Sequence, residues 1–267
     1  MSHIHIPDGV LPLWLWLSGW ILALIVVGIA GKYAERSDVR RKVPLLAVVS
    51  ALMLVAMSSE IVPIAYHVNL TVIAGVLLGP ALSVIAAFVV QVILAMLGHG
   101  GVTVIGLNTL MVTTEMILGW AFFRLLIRAL GRHRVRWSAA VATVITLAIT
   151  TTMLVGLVAL SGVGAATARE TGALNPASMT FANPFTGGIV KVGLFSGGEK
   201  PPAAAQATTV KRFAVIVYSL GSIGWVIEAL VTAWILGYIA RVRPGLLWEG
   251  ALHAPPSHFP GDEGGVR

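Results

Sequence analysis

Cysteine is absent from the 267-residue sequence, which excludes disulfide bonds, thiolate metal sites and cysteine nucleophiles. Charged residues are scarce as well, because they make up 11% of the chain, against about 25% in soluble domains. The phosphate-binding pattern G-x-x-x-x-G-K-[ST] is missing, since Gly197-Gly198-Glu199-Lys200 does not fit it. Neither H-E-x-x-H nor G-x-S-x-G occurs. The chain therefore has no motif for ATP hydrolysis or for a membrane hydrolase, and any metal site must use nitrogen or oxygen ligands.

Hydrophobic residues are abundant, at 57% of the chain, and they form long continuous runs. Closed β-barrels need short alternating segments, so these runs favour membrane-spanning helices. Most basic residues lie in short loops beside the runs, the pattern that orients membrane proteins with their basic loops inside. Because those loops account for the net charge of +7, we expect no nucleic-acid partner. The sequence predicts an all-α, polytopic protein in the lipid bilayer of the cell membrane.

About seven transmembrane helices are predicted from the apolar runs and the basic loops. The run 68–97 is interrupted by Gly79-Pro80, where proline favours a helix end. We split it into two spans, because a single crossing would put an arginine-rich loop from Arg124 to Arg136 outside. Seven crossings give an outside N-terminus and a cytoplasmic C-terminus. The remaining spans are predicted at residues 10–31, 43–61, 103–123, 137–160 and 213–239.

The predicted organisation is one transmembrane metal-binding domain, residues 1–243, followed by a mobile cytoplasmic tail, residues 244–267. A polar stretch rich in Gly, Ala, Thr and Pro, residues 161–211, is predicted to be an external loop without a core of its own. Residues 1–9, called the leader below, carry no basic n-region and no small-residue cleavage site. We therefore expect the leader to be retained rather than removed as a secretory signal.

Four histidines share the outer surface in this topology: His3, His5, His67 and His99. A free amine, the next amide nitrogen and the imidazole of a histidine at the second position can chelate a metal in one plane. Square-planar nitrogen donors suit Ni(II) or Cu(II), and imidazole also suits cobalt and zinc. The alternatives are a solvated terminus for His3 and His5, an interfacial residue for His67 and a turn residue for His99. His99 and Asn108 are candidates for orienting a ligating imidazole through a hydrogen bond.

Two carboxylates, Glu115 and Glu228, lie within predicted spans. Carboxylates are costly in a membrane, so they indicate a functional role or buried pairing. Ala47 and Ala51 have the small-xxx-small spacing that permits close contact with a partner helix.

Several motifs recur in the order and spacing of a known family. They are His5-Ile6-Pro7-Asp8-Gly9-Val10-Leu11-Pro12, Tyr66-His67-Val68-Asn69, Leu78-Gly79-Pro80, and Gly98-His99-Gly100-Gly101 through Gly106-Leu107-Asn108-Thr109. In these motifs the chain resembles the CbiM/NikM family, the substrate-capture subunits of energy-coupling factor transporters for cobalt and nickel. The resemblance covers residues 1–160 well and the last span loosely.

This resemblance implies a seven-helix subunit whose N-terminus enters from outside and ligates the metal through its terminal nitrogens and the signature histidine. A histidine matching His67 would complete the square. The implied cargo is Ni(II) or Co(II), with no permanent cofactor. The implied partners are a transmembrane coupling protein, ABC-type ATPase subunits and a small accessory membrane protein. The loop of residues 161–211 is predicted to take part of the role of that accessory protein.

The leader departs from the family pattern, because Ser2, His3 and Ile4 separate Met1 from His5. If Met1 is removed, Ser2 supplies the amine and His3 becomes the second-position histidine. A second alternative is that His3 and His5 both bind. If Met1 stays, its amine, two amides and His3 could supply four nitrogens without His67. The predicted metal site therefore draws on His5, His67, His3, Ser2 and Met1.

Two other functions compete with metal capture. A membrane-embedded metalloenzyme could use the same histidines, with Glu60 as the carboxylate near His67 in sequence. A non-catalytic membrane assembly protein would be insensitive to metal and to histidine substitution.

Overall fold

The computed structural model describes residues 13–36, 42–58, 68–97, 101–160 and 210–248. These residues form helices and connecting turns, and no strand occurs among them. The helices are α1 (Leu13–Arg36), α2 (Val43–Ser58), α3 (Thr71–Met96), α4 (Ile105–Leu130), α5 (Val135–Leu160), α6 (Val210–Val242) and α7 (Gly245–Trp248), with a 3-10 turn at Arg132–Arg134. The all-α prediction is confirmed.

Five of the described helices, α1 and α3 to α6, contain stretches long and apolar enough to cross a membrane. Helix α2 is apolar but has 16 residues, which corresponds to about 24 Å against a hydrocarbon core of about 30 Å. Most large side chains on the outer faces of these helices are apolar and exposed, Ile25 of α1 and Leu230 of α6 among them. An apolar exterior of this extent is stable in lipid, and the chain is a multi-pass membrane protein.

Helix α3 is interrupted at the position that the sequence predicted. Gly79 has φ 76° and ψ 174°, and Pro80 follows it inside the same assigned helix. The first part of α3 packs with α4 and α6, where Val72 and Val76 share a cluster with Phe123. The second part packs with α2, because Leu82 and Leu94 lie in a different cluster that contains Met53. Both parts also contact α4, because Ala74 and Leu78 of the first part lie in this second cluster together with Val112 and Met116. A separate crossing for each part of α3 stays a prediction.

The arginine-rich segment is more helical than the sequence analysis predicted. Arg124 and Arg128 were expected in a loop, yet both lie in the last turns of α4, which extends to Leu130. Arg136 likewise lies in the first turn of α5. The prediction failed because it ended each span where the apolar run ended. The helix continues past Arg124, whose guanidinium carbon lies 5.8 Å from the centre of the Trp120 ring one turn earlier. A charged side chain therefore does not mark the end of this helix.

Helix α4 is the central element of the fold. It packs against α1, α3 and α5, and α5 packs against α6. Residues that follow α6 also belong to the packed structure, since Leu247 of α7 is buried and shares a cluster with Phe123. The guanidinium of Arg132 lies 4.7 Å from the centre of the Trp248 ring. The stretch predicted to be a mobile tail from residue 244 thus begins with residues that contact the bundle.

Candidate metal-binding site

Of the residues that the sequence analysis selected as metal ligands, as partners that orient a ligand or as helix contacts, the structure describes three. Asn108 is buried at the start of α4, at 8% exposure, and its backbone N–H donates to the carbonyl of Val104 over 2.9 Å. Ala47 and Ala51 are exposed on one side of α2, so their predicted contact with a partner helix stays a prediction. The other selected residues lie outside the described residues: Met1, Ser2, His3, His5, His67 and His99.

The scaffold around these segments is described even though the selected histidines are not. The leader precedes α1, His67 precedes α3 and His99 precedes α4. The first halves of α1 and α3 both pack against α4. Within the described ranges, no three side chains of His, Asp or Glu lie close enough together to hold a metal. The predicted ligands lie in the segments that precede these helices, and their role stays a prediction.

Helices α1 and α4 meet backbone to backbone close to their N-terminal ends. A Cβ atom added at Gly106 would lie 2.5 Å from the backbone nitrogen of Trp20 and 2.6 Å from the carbonyl carbon of Gly19. The buried side chains of Leu15, Val104 and Leu107 surround this crossing. Only a glycine at position 106 allows such an approach, so the start of α1 has a fixed position on α4.

Helices α3 and α4 make a second close crossing farther along α4. A Cβ atom at Gly75 would overlap the backbone carbonyl of Met116, and one at Gly119 would lie 3.0 Å from the side chain of Val72. Beside these contacts the side chain of Glu115 is fully buried and accepts a hydrogen bond from the Thr71 hydroxyl at the start of α3. The start of α3 is therefore attached to the middle of α4.

The distance between the two crossings is within reach of the predicted ligands. Glu115 follows Gly106 by nine residues, or about 13 Å along the helix axis. His67 precedes Thr71 by four residues, and four residues span at most about 14 Å. His5 precedes Leu13 by eight residues, which gives it a reach of at most about 28 Å. The scaffold thus allows the leader and His67 to bind one ion between the crossings.

The hydrogen bonds of Glu115 were missed by the sequence analysis, which identified the carboxylate but not its partners. Thr150 of α5 donates to the second carboxylate oxygen over 3.3 Å. Its hydroxyl also lies 3.1 Å from the carbonyl of Thr146 in its own helix. Threonines are frequent in the spans, and nothing in their spacing marks the two that contact Glu115, because Glu115 and its two partners lie on three different helices.

Comparison with known proteins identifies the family. A sequence model of the CbiM family, described as the cobalt uptake substrate-specific transmembrane region, matches residues 5–246. The chain belongs to the CbiM family. Its membership confirms the resemblance found in the sequence motifs, and the match includes His5, His67 and helices α1 to α6.

Relatives of this CbiM-family chain occur in halophilic archaea. It is 34% identical over 128 residues to a Haloquadratum walsbyi protein named for metal transport, with 46% of the chain and 58% of that protein aligned. The chain thus matches less than two thirds of that relative's length. It is 33% identical over 172 residues to a Halobacterium salinarum protein named for cobalt transport and CbiM, with 61% of the chain and 77% of that protein aligned.

Two crystal structures described as transition metal transporters have the same fold as this member of the CbiM family. One, a truncated form, has a TM-score of 0.60 and covers 89% of the chain and 98% of its own length. The other has a TM-score of 0.62, with 94% and 100% covered. Sequence identity is 18% in both cases, so the likeness concerns the fold alone.

Proposed function

We propose that the chain is the metal-binding membrane subunit of an energy-coupling factor uptake transporter for Ni(II) or Co(II) in the cytoplasmic membrane. The observation that carries this proposal is the anchoring of α1 and α3 on α4. The segments that precede α1 and α3 contain His3, His5 and His67, and the starts of both helices are anchored on α4. This anchoring supports a common ion between the two segments. Family membership supports cobalt uptake as the process.

The donor chemistry suits a divalent ion of the nickel and cobalt class. Imidazoles, a terminal amine and deprotonated amide nitrogens are intermediate donors that bind such ions strongly, and a chain without cysteine offers no competing thiolate. We propose that His67 and at least one of His3 and His5 are ligands. If Met1 is removed, Ser2 supplies the amine and His3 takes the second position. If Met1 stays, the leader can supply a larger share of the nitrogens.

If transport is driven by ATP, a partner must hydrolyse it, because the sequence has no phosphate-binding loop. We propose that a transmembrane coupling protein and ABC-type ATPase subunits drive release of the ion to the cytoplasm, with Ala47 and Ala51 on the exposed side of α2 in contact with a partner helix. A small accessory membrane protein completes the assembly, with residues 161–211 as a candidate for part of that role.

Metal titration of the purified chain tests the proposal. We expect binding of one Ni(II) or Co(II) ion per chain, with the affinity lowered by His67→Ala and by at least one of His3→Ala and His5→Ala. His133→Ala is the control, because His133 is exposed in the 3-10 turn at the arginine-rich end of the bundle. N-terminal sequencing of the same sample tells whether Met1 or Ser2 supplies the amine. If His3→Ala, His5→Ala and His67→Ala all bind the metal as tightly as the unsubstituted chain, the proposed site is eliminated.

A further inference from the structure

We propose that the hydrogen bond between Thr71 and Glu115 positions the metal-binding segment before α3, so that both residues set the affinity for the ion without touching it. This inference rests on the proposed function, and in particular on His67 as a ligand. The observation behind it is a fully buried carboxylate in the middle of α4 that is hydrogen-bonded to the first residue of α3.

The carboxylate of Glu115 connects three helices. One oxygen accepts from the Thr71 hydroxyl of α3, and the other accepts from the Thr150 hydroxyl of α5 over 3.3 Å. Thr150 is the weaker partner, because its hydroxyl is also within 3.1 Å of the Thr146 carbonyl and within 3.3 Å of the Leu147 carbonyl. The Thr71 hydroxyl has no such competing bond among those given for the described residues, so its hydrogen bond to Glu115 is the less shared of the two.

The start of α3 needs this link because it has no conventional cap. Leu70 precedes the helix with φ 56° and ψ 12°, and no side chain caps the helix there. A left-handed conformation is unfavourable for a residue with a branched side chain. Asn69 is buried, and the Leu70 carbonyl accepts from Ala74 over 2.9 Å. The hydrogen bond from Thr71 to Glu115 is thus a tertiary contact at the first residue of α3.

His67 lies four residues before Thr71 in the sequence, with Val68, Asn69 and Leu70 between them. A ligand binds tightly when it is held near the position that the ion requires, since less conformational entropy is lost on binding. Loosening Thr71 widens the range of positions open to His67 and weakens binding. The donor atoms themselves do not change, so the geometry of the metal complex at saturation should be preserved.

Thr71→Val tests the proposal, because it removes the hydroxyl and nearly preserves the shape. Thr143→Val is the matched control. Thr143 is also buried, and its hydroxyl donates within its own helix to the carbonyl of Ala139 over 2.9 Å. Thr71→Ser is the rescue variant, since serine retains the donor. Affinity for Ni(II) and Co(II), the visible absorption of the saturated complex and the unfolding temperature are measured for each, in the full-length chain.

We expect Thr71→Val to weaken metal binding about tenfold, the lower end of the range seen when residues that orient metal ligands are replaced. The saturated spectrum should be unchanged, Thr71→Ser should restore most of the affinity, and Thr143→Val should bind like the unsubstituted chain. Glu115→Gln should weaken binding as well, and Thr150→Val should do so less than Thr71→Val. The losses of metal affinity must be larger than a loss of stability, measured as a lower unfolding temperature, can explain.

Two results overturn the inference and are distinguishable. If the unsubstituted chain binds the ion and His67→Ala weakens binding, but Thr71→Val and Thr143→Val bind alike, the positioning role is wrong while the proposed function stands. The same conclusion follows if Thr71→Val and Thr143→Val lose the same amount of stability and the metal affinity of Thr71→Val falls only in proportion to that loss. If the unsubstituted chain binds neither Ni(II) nor Co(II), the proposed function fails and the positioning role fails with it.

Discussion

Replacing Gly106 by alanine should separate α1 from α4 and destabilise the fold. The added Cβ atom would lie 2.5 Å from the backbone nitrogen of Trp20, and 2.6 Å from both its Cα atom and the Gly19 carbonyl carbon, whereas ordinary contact begins at 3.4 Å. All three neighbours are backbone atoms, so no side-chain rotation can relieve the overlap. The two helices must move apart, and the packing of Leu15 against Leu107 is loosened as a result.

Two opposing effects determine the size of this loss. Overpacking a close-packed contact costs about 1–3 kcal/mol. Alanine favours a helix over glycine by about 0.8–1 kcal/mol. Because the overlap at Gly106 is with backbone atoms, the overpacking cost should lie at the upper end of its range, and the expected net loss is about 2 kcal/mol. Gly28→Ala provides the matched control. Gly28 lies on α1, the helix that Gly106 contacts, and a Cβ atom added at Gly28 meets nothing within 4 Å.

Unfolding temperatures of the purified chain in one detergent provide the measurement. Gly106→Ala should unfold at a lower temperature than the unsubstituted chain, and Gly28→Ala at an equal or higher one. Metal affinity should also fall in Gly106→Ala, because the displaced α1 carries the leader. Equal unfolding temperatures in the two variants would refute a backbone-to-backbone crossing at Gly106.

Two further substitutions or conditions test the fold and the site. Gly79→Ala should cost about 1–3 kcal/mol, because φ 76° and ψ 174° belong to a region that essentially only glycine adopts. A Cβ atom meets nothing within 4 Å at Gly79 or at Gly156, but only Gly79 has a positive φ, so Gly156→Ala is the control. Equal unfolding temperatures in the two variants would contradict the positive φ at Gly79. Metal affinity should fall as the pH drops below about 6.5, because protonated imidazole cannot bind, at about tenfold per pH unit for each histidine ligand. Constant affinity between pH 5 and 7.5 would argue against histidine ligation.

The sequence predicted the helical class, the positions of most apolar spans and the interruption at Gly79, because long apolar runs and a Gly-Pro pair are local signals. It did not predict that Arg124 and Arg136 lie within helices, since helix ends depend on the packing of neighbours as well as on composition. The partners of Glu115 were also beyond its reach. A hydrogen bond between residues that are 44 positions apart leaves no periodicity that a single sequence can display.

The candidate ligands were recognised from short motifs, whereas the contacts that place their helices were found only in the structure. His67 is conspicuous as a histidine at a membrane boundary, but Thr71 is one of many threonines. The same contrast applies to the leader, whose histidines are evident, and to Gly106, which is one of 29 glycines. Backbone approach and side-chain pairing between helices give such residues their roles, and both depend on the register of one helix on another.

Combining Gly106→Ala with Thr71→Val distinguishes a shared ion from two independent effects. The two changes act about 13 Å apart along α4, so their effects on stability should add to within about 0.5 kcal/mol. Their effects on metal affinity should combine to less than the product of the separate losses. The position of His67 affects metal affinity only relative to the other donors on the same ion. Once the leader is displaced, holding His67 in place adds little to the affinity. Losses that multiply fully would show that the leader and the segment before α3 do not bind a common ion.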